Sequence, residues 1–222
     1  MTIALAFPYL EGVLVCADTQ MSYVTGTKYT EHKITVKDLD DCRCIFAFAG
    51  EIGLSSEIRS KIFRKIAEII KKSGTALATD DIHAAIEVVL NDYKRLEVAL
   101  GLEFLLATYP QSEAPTIIHF DGKAVNVTTD EIVVIGCGNE SLTRYLTENL
   151  FINDLDWEHA LALGCYIVKK ATQYVQFCGE PIEAARLTQN SVGEVDSQNI
   201  DWACTITERQ EVKMHEWLFK RI

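Results

Sequence analysis

Three residues in the first third of the chain are of types that could do chemistry together. Thr2 becomes the chain's own N-terminus if Met1 is removed, Asp18 closes the apolar run Gly12-Val13-Leu14-Val15-Cys16-Ala17, and Lys33 opens the alternating stretch Ile34-Thr35-Val36. A threonine hydroxyl is a poor nucleophile at neutral pH. A free α-amino group on the same residue, with an ordinary pKa of about 7.7 to 8.0, can take its proton. A nearby ammonium disfavours the protonated amine because like charges repel, and a carboxylate keeps that ammonium charged and oriented. The types therefore fit an N-terminal nucleophile in which Thr2 is oxygen and base, Lys33 tunes the base and Asp18 holds Lys33. Taken singly, each has a plainer role: an aspartate ending a strand is commonly a turn or cap residue, and a lysine opening an edge strand a solvated charge.

The elements that must position them follow from periodicity. Met1–Phe7, Gly12–Thr19 and Ile45-Phe46-Ala47-Phe48-Ala49-Gly50 read as strands. Ile58, Ile62, Ile66, Ile69 and Ile70 recur at helical spacing until Gly74, and a second amphipathic helix from Asp80 or Asp81 carries Ile82, Ile86, Val89, Leu90, Tyr93 and Leu96. Strands resume at Phe104–Ala107, and Asp121-Gly122 marks a hairpin between Thr116–Phe120 and Ala124–Val127. Ile132–Ile135 runs into Gly136-Cys137-Gly138, which opens a helix through about Leu150. Asp154 or Asp156 caps a longer helix toward Phe177. The remainder reads as strands over Ile182–Leu187, Trp202–Ile206 and Val212–Phe219. Strands, two helices, strands, two helices and strands call for an α+β protein built as a four-layer αββα sandwich of two antiparallel sheets. Residues 1–222 form one domain on this reading, with no linker or repeat.

Composition narrows the partners. The 222 residues are 48% hydrophobic and 24% charged, ordinary for a globular chain with a substantial core. The net charge of −11 argues against nucleic acid, whose phosphates would be repelled. No apolar run approaches a membrane span and no signal-type segment opens the chain, so no membrane association and a cytoplasmic location are expected. Seven cysteines, mostly in apolar surroundings, suit reduced thiols rather than a disulfide framework. Neither the cysteines nor the five histidines have metal-ligand spacing, so no metal and no other cofactor is expected. Arg59, Lys61, Arg64, Lys65, Lys71 and Lys72 lie along the first helix, as a solvated face or a docking surface for a neighbouring ring or subunit.

The spacing from Thr2 to Asp18, continued through Ser22 to Lys33 and the strand ending in Gly50, resembles the start of a proteasome-type β subunit, including the bacterial protease that partners an ATPase ring. The resemblance implies the N-terminal nucleophile hydrolase fold, Thr2, Asp18 and Lys33 as catalytic residues, and the Gly50 N–H as oxyanion donor. It places Ser22 against the substrate backbone and Met21, Glu31, Thr35, Phe48 and Ile52 around a specificity pocket beside Thr2. A bulky ring at Phe48 would make that pocket shallow and apolar, while core packing is the competing role. It also implies a homo-oligomeric ring, a possible ATPase unfoldase partner and peptide or unfolded-protein substrates.

The chain departs from that pattern in its later half. Where the family has a serine in a Gly-Ser-Gly turn and an Asp-x-x-Ser-Gly element, this sequence has Cys137, and Val175 with Cys178. Thiols are weaker hydrogen-bond partners than hydroxyls, and valine can accept nothing. Three functions stay open: a threonine-type peptidase with Cys137 and Cys178 as substitutes, a catalytically inactive structural subunit, and a non-peptide amidase of the same class. A thiolate nucleophile at Cys137, at a helix start, ranks behind these.

Overall fold

A computed structural model of the chain describes residues 2–22, 27–39, 41–73, 77–94, 101–111, 113–136, 141–175 and 177–219. Two five-stranded antiparallel sheets form its centre. Sheet one contains β1 (Ile3–Tyr9), β2 (Gly12–Asp18), β10 (Val133–Gly136), β11 (Ile182–Thr188) and β12 (Val192–Glu194), in the order β10-β1-β2-β11-β12. Sheet two contains β5 (Ile34–Leu39), β6 (Cys42–Gly50), β7 (Leu102–Pro110), β8 (Thr116–Phe120) and β9 (Val125–Thr128), in sequence order. A small ribbon of β3 (Gln20–Ser22) and β4 (Lys28–Thr30) stands apart from both.

Alternation along the strands separates three apolar layers. In β1, Ile3, Leu5 and Phe7 face outward to join Leu161, Cys165 and Val168 of α4 (Trp157–Tyr174), while Ala4 and Ala6 face the other sheet. In β6, Phe46 and Phe48 face outward against Ile58, Ile62 and Ile66 of α1 (Ile52–Ser73) and Ile82, Ile86 and Leu90 of α2 (Thr79–Lys94), while Ile45, Ala47 and Ala49 face inward. The inner layer is rich in alanine: Ala4, Ala6, Ala17, Ala47, Ala49, Ala107 and Ala185. Small side chains let the sheets approach closely. The result is the expected four-layer αββα sandwich, with α1 and α2 outside sheet two and α4 outside sheet one.

Local chemistry sets most boundaries. The Asp121 carboxylate accepts the N–H groups of Lys123 and Ala124 at 2.9 and 2.8 Å, and Gly122 takes φ +88°, which closes the β8–β9 hairpin. Of the two aspartates expected to cap α4, Asp156 does so, accepting the His159 N–H at 2.9 Å. The helix following β10, α3, runs Ser141–Leu150, and the expected start of this element at residues 137–140 lies outside the described residues, as do Gly74 and Leu96.

The end of the chain corrects the sequence reading. Trp202–Ile206 and Val212–Phe219 are not strands but parts of one helix, α5 (Ser197–Phe219). Asp196 caps it by accepting the Asn199 N–H at 2.9 Å, and Ile200 and Ala203 are buried with Cys204 packed beside them, at helical spacing, in the layer shared with α4. Lys169 and Lys170 of α4 pair with Glu208 and Glu211 of α5 at 2.5 and 2.7 Å. The short alternation at 202–206 lost to this helical stripe.

Gly164 shows how tightly α4 sits on sheet one. A Cβ there would lie 2.6 Å from the Cys16 sulfur and 3.1 Å from Leu14 Cδ2. Gly164→Ala gains about 1 kcal/mol in helix propensity but suffers overpacking of about 1–3 kcal/mol. Denaturant unfolding should therefore find no stabilisation but a loss of up to about 2 kcal/mol. The double variant with Cys16→Ala should lose less than the sum of the two single changes.

Candidate active site

The site grows from the start of β1 and the end of β2. Thr2 immediately precedes β1, Asp18 ends β2, and the antiparallel register sets Ala4 opposite Ala17, which brings the start of one strand beside the end of the other. Thr2 is 1% exposed, and Asp18 and Lys33 are fully buried. A lysine and an aspartate are almost never that buried unless paired. Here Lys33 Nζ donates to Asp18 Oδ1 at 2.7 Å and to the Gln20 carbonyl at 2.6 Å.

Asp18 does more than neutralise the lysine. Its Oδ1 also accepts the N–H of Ile3 at 2.9 Å, and its Oδ2 accepts the N–H of Gly179 at 3.1 Å. One carboxylate oxygen therefore joins the Lys33 ammonium to the peptide that follows Thr2. Thr2 Oγ1 itself lies 3.8 Å from the Met21 sulfur.

Gly50 closes β6 at φ +128°, and a Cβ on it would come within 2.3 Å of the Gly101 carbonyl, so the position admits only glycine. Gly136, at φ +79°, makes the corresponding approach from sheet one: a Cβ would lie 2.1 Å from the Thr2 carbonyl oxygen and 2.9 Å from Ala49 Cβ. Thr2, Gly136 and the Ala49–Gly50 end of β6 are thus adjacent across the sheet interface.

The other residues singled out in the sequence are spread more widely. Met21 is buried beside Thr2. Phe48 is 2% exposed and packs on the α1 side of β6, which is the core role, with Ile52 against the same layer. Ala49 rather than Phe48 is the β6 side chain that meets Gly136 next to Thr2. Thr35 Oγ1 accepts a hydrogen bond from Arg59 at 2.6 Å, and Glu31 is exposed. Ser22 is described in its backbone alone, opposite Lys28, and Cys137 lies outside the described residues. Cys178 is buried in the layer under α4, and Val175 caps the C-terminus of that helix by donating its N–H to the Ala171 carbonyl. Cavities of about 810 and 610 Å³ lie elsewhere, and neither is lined by Thr2, Asp18, Lys33 or Gly50. Among the described residues no group of three or more histidine, cysteine, aspartate or glutamate side chains could hold a metal ion.

Two carboxylates near the site were not foreseen. Glu103 of β7 accepts the Gly136 N–H at 2.6 Å, bridging the sheets beside Thr2. Glu183 of β11 accepts the N–H groups of both Lys33 and Ile34, at 2.6 and 3.0 Å. Burial pushes the Glu183 carboxyl up, against the opposing pull of His32 and the two N–H donors, and Glu183 in turn raises the His32 imidazole. Sequence spacing gave no hint of either, since each reaches its partner across more than thirty residues of chain.

A two-sheet αββα sandwich of this kind is the fold of the N-terminal nucleophile hydrolases. The chain belongs to the proteasome subunit family, whose model matches residues 2–187. In fold it is similar to Anbu, an ancestral β-subunit, from Yersinia bercovieri, at TM-score 0.80 and 10% identity over 100% of this chain and 98% of that one. It is also similar to a Gly-1 mutant of Anbu from Hyphomicrobium sp. strain MC1, at TM-score 0.76 and 15% identity over 96% and 97% of the two chains. A search of curated proteins by sequence found no match. Among the described residues no helix is long and apolar enough to cross a membrane.

The buried ion pair makes a direct prediction. Lys33→Met keeps the volume and removes the charge, leaving the buried Asp18 side chain with backbone donors alone. Breaking one half of such a pair costs about 3–5 kcal/mol. Urea denaturation should show that loss, and Lys33→Met combined with Asp18→Asn should recover part of it. A loss below about 1 kcal/mol would mean that the pair does not hold the site together.

Proposed function

We propose that the chain is a threonine-type hydrolase of peptide amide bonds, active after removal of Met1. The observation that carries this reading is the shared Asp18 oxygen, which ties the Lys33 ammonium to the backbone beside Thr2. Thr2 Oγ attacks the substrate carbonyl carbon while the Thr2 α-amine takes the hydroxyl proton. The amine then passes that proton to the leaving nitrogen as the C–N bond breaks, giving an acyl ester on Thr2. Water, deprotonated by the same amine, attacks the ester carbonyl, and the amine returns that proton to Thr2 Oγ as the acyl C–O bond breaks and the carboxylic acid leaves.

Lys33 acts on the amine rather than on the substrate. Its positive charge disfavours the protonated amine, and the ion pair with Asp18 holds that charge in place. The Gly50 N–H is the oxyanion donor, and the close contacts that bar a side chain at Gly50 support a fixed direction for that N–H. Met21 and Ala49 flank Thr2 on this reading, so the first substrate side chain meets small or apolar surface. The assembly is a homo-oligomeric ring that encloses the Thr2 sites, with an ATPase unfoldase as a possible partner and unfolded polypeptide as substrate. It works in the cytoplasm.

One observation favours the silent-subunit alternative. Val175 is an apolar helix cap whose side chain can accept no hydrogen bond, where the family's later motif has an aspartate. A non-peptide amidase would use the same Thr2 chemistry.

Intact mass measurement after expression with a normal methionine aminopeptidase should show Met1 absent. A peptidyl vinyl sulfone, which takes a hydroxyl by conjugate addition, should then label Thr2, and tryptic mapping should place the adduct there. Thr2→Ala should cut labelling by at least about a thousandfold, the scale on which loss of a nucleophile acts. Retention of Met1, or equal labelling of Thr2→Ala, would contradict the peptidase reading.

A further inference from the structure

We propose that Glu183 is a positioning residue for Lys33, holding the lysine's backbone while Asp18 holds its ammonium. The proposal rests on the reading of Lys33 as the group that tunes the Thr2 amine. It starts from topology: β5 is an edge strand of sheet two, so outward-facing N–H groups at its start have no strand to pair with. Lys33 stands just before that strand. Glu183 Oε1 accepts from Lys33 N at 2.6 Å and from Ile34 N at 3.0 Å, and its other oxygen lies 3.0 Å from His32 Nδ1. Successive N–H groups converging on one oxygen make an anion-binding concavity.

Glu183 comes from the other sheet, and its place there is specific. It lies opposite Ala17 in the β2–β11 register, and Ile182 lies opposite Asp18. Neighbouring positions on one pair of strands thus present two carboxylates to one lysine, Asp18 to the side-chain nitrogen and Glu183 to the main chain. A lysine side chain is long and rich in rotamers, so a fixed ammonium needs a fixed Cα as well as a counter-ion.

The contact is not an incidental surface pairing. The Glu183 side chain is 15% exposed, whereas its His32 partner is 83% exposed. Burying a carboxylate is costly unless donors satisfy it, and the two main-chain donors here both belong to the Lys33 segment. His32 contributes at the solvent side, where Glu31 and Glu194 also lie close enough to act on its charge. What Glu183 acts through is the position of Lys33.

Three forms of the full chain test this: wild type, Glu183→Gln, which keeps an acceptor oxygen, and Glu183→Ala, which does not. The first readout is hydrogen exchange of a peptide containing Lys33 and Ile34. The second is the rate of Thr2 labelling by a peptidyl vinyl sulfone across concentrations, which separates its maximal rate from its half-saturating concentration. Glu183→Ala should speed exchange at these amides by at least about tenfold, as loss of local protection does. It should lower the maximal labelling rate by about ten- to a hundredfold with half-saturation unchanged, the cost of a catalytic group displaced by about 1 Å. Glu183→Gln should stay near wild type in both.

Unchanged exchange in Glu183→Ala overturns the proposal, as does a glutamine variant as impaired as the alanine one. Faster exchange with an unchanged labelling rate also overturns it, since the contact would then be structural alone. If wild type does not label at all, the peptidase reading fails, and exchange in the two variants still decides whether Glu183 fixes the Lys33 backbone. Should the alanine variant not fold, Glu183→Asp replaces it, shortening the reach to Lys33, and the same outcomes apply.

Discussion

The site depends on a charge pair whose two side chains are buried away from the surface. Lys33 and Asp18 are both fully buried and 2.7 Å apart, in surroundings where an unpaired charge would be untenable. Such a pair is a weak source of net stability, because desolvation offsets most of the attraction. What it provides is geometry. Neither partner can leave without stranding the other, so the ammonium stays where the carboxylate is, and the carboxylate is fastened by the N–H groups of Ile3 and Gly179. The backbone that carries Thr2 and the lysine that would tune it become parts of one rigid unit.

That unit requires two sheets in near contact. Alanines along the facing sides of β1, β2, β6, β7 and β11 make the close approach possible, and Gly136 takes over where even a methyl would collide with Ala49 of the other sheet. Across this gap two carboxylates stitch one sheet to the other: Glu103 from sheet two to Gly136, and Glu183 from sheet one to the Lys33 segment. The phenylalanines are buried instead in the two outer layers, where they meet the helices.

How far the sequence revealed this follows from distance along the chain. Thr2 and Asp18 flank the β1–β2 hairpin, and Lys33 and Gly50 flank the β5–β6 hairpin, all within fifty residues, so their spacing can be recognised in one dimension. The αββα order was readable for the same reason, as each helix pair shows its own apolar stripe. Glu183 and Glu103 escaped because nothing local distinguishes a carboxylate that reaches across to another sheet from one that faces water. Phe48 drew attention as a large residue near the site, yet strand alternation turns it to α1 and leaves Ala49 facing inward. The strand reading of residues 202–219 failed where short alternation competed with a helical stripe of Ile200, Ala203 and Cys204, which is completed only by packing on α4.

Everything chemical in this account turns on the α-amine of Thr2 being held neutral by Lys33. The most direct measurement is a titration of that amine by nitrogen NMR, on processed protein labelled with [15N]threonine. Its pKa should fall below the ordinary range of about 7.7–8.0 and return toward it in Lys33→Met. An ordinary value that Lys33→Met leaves unchanged would contradict the account.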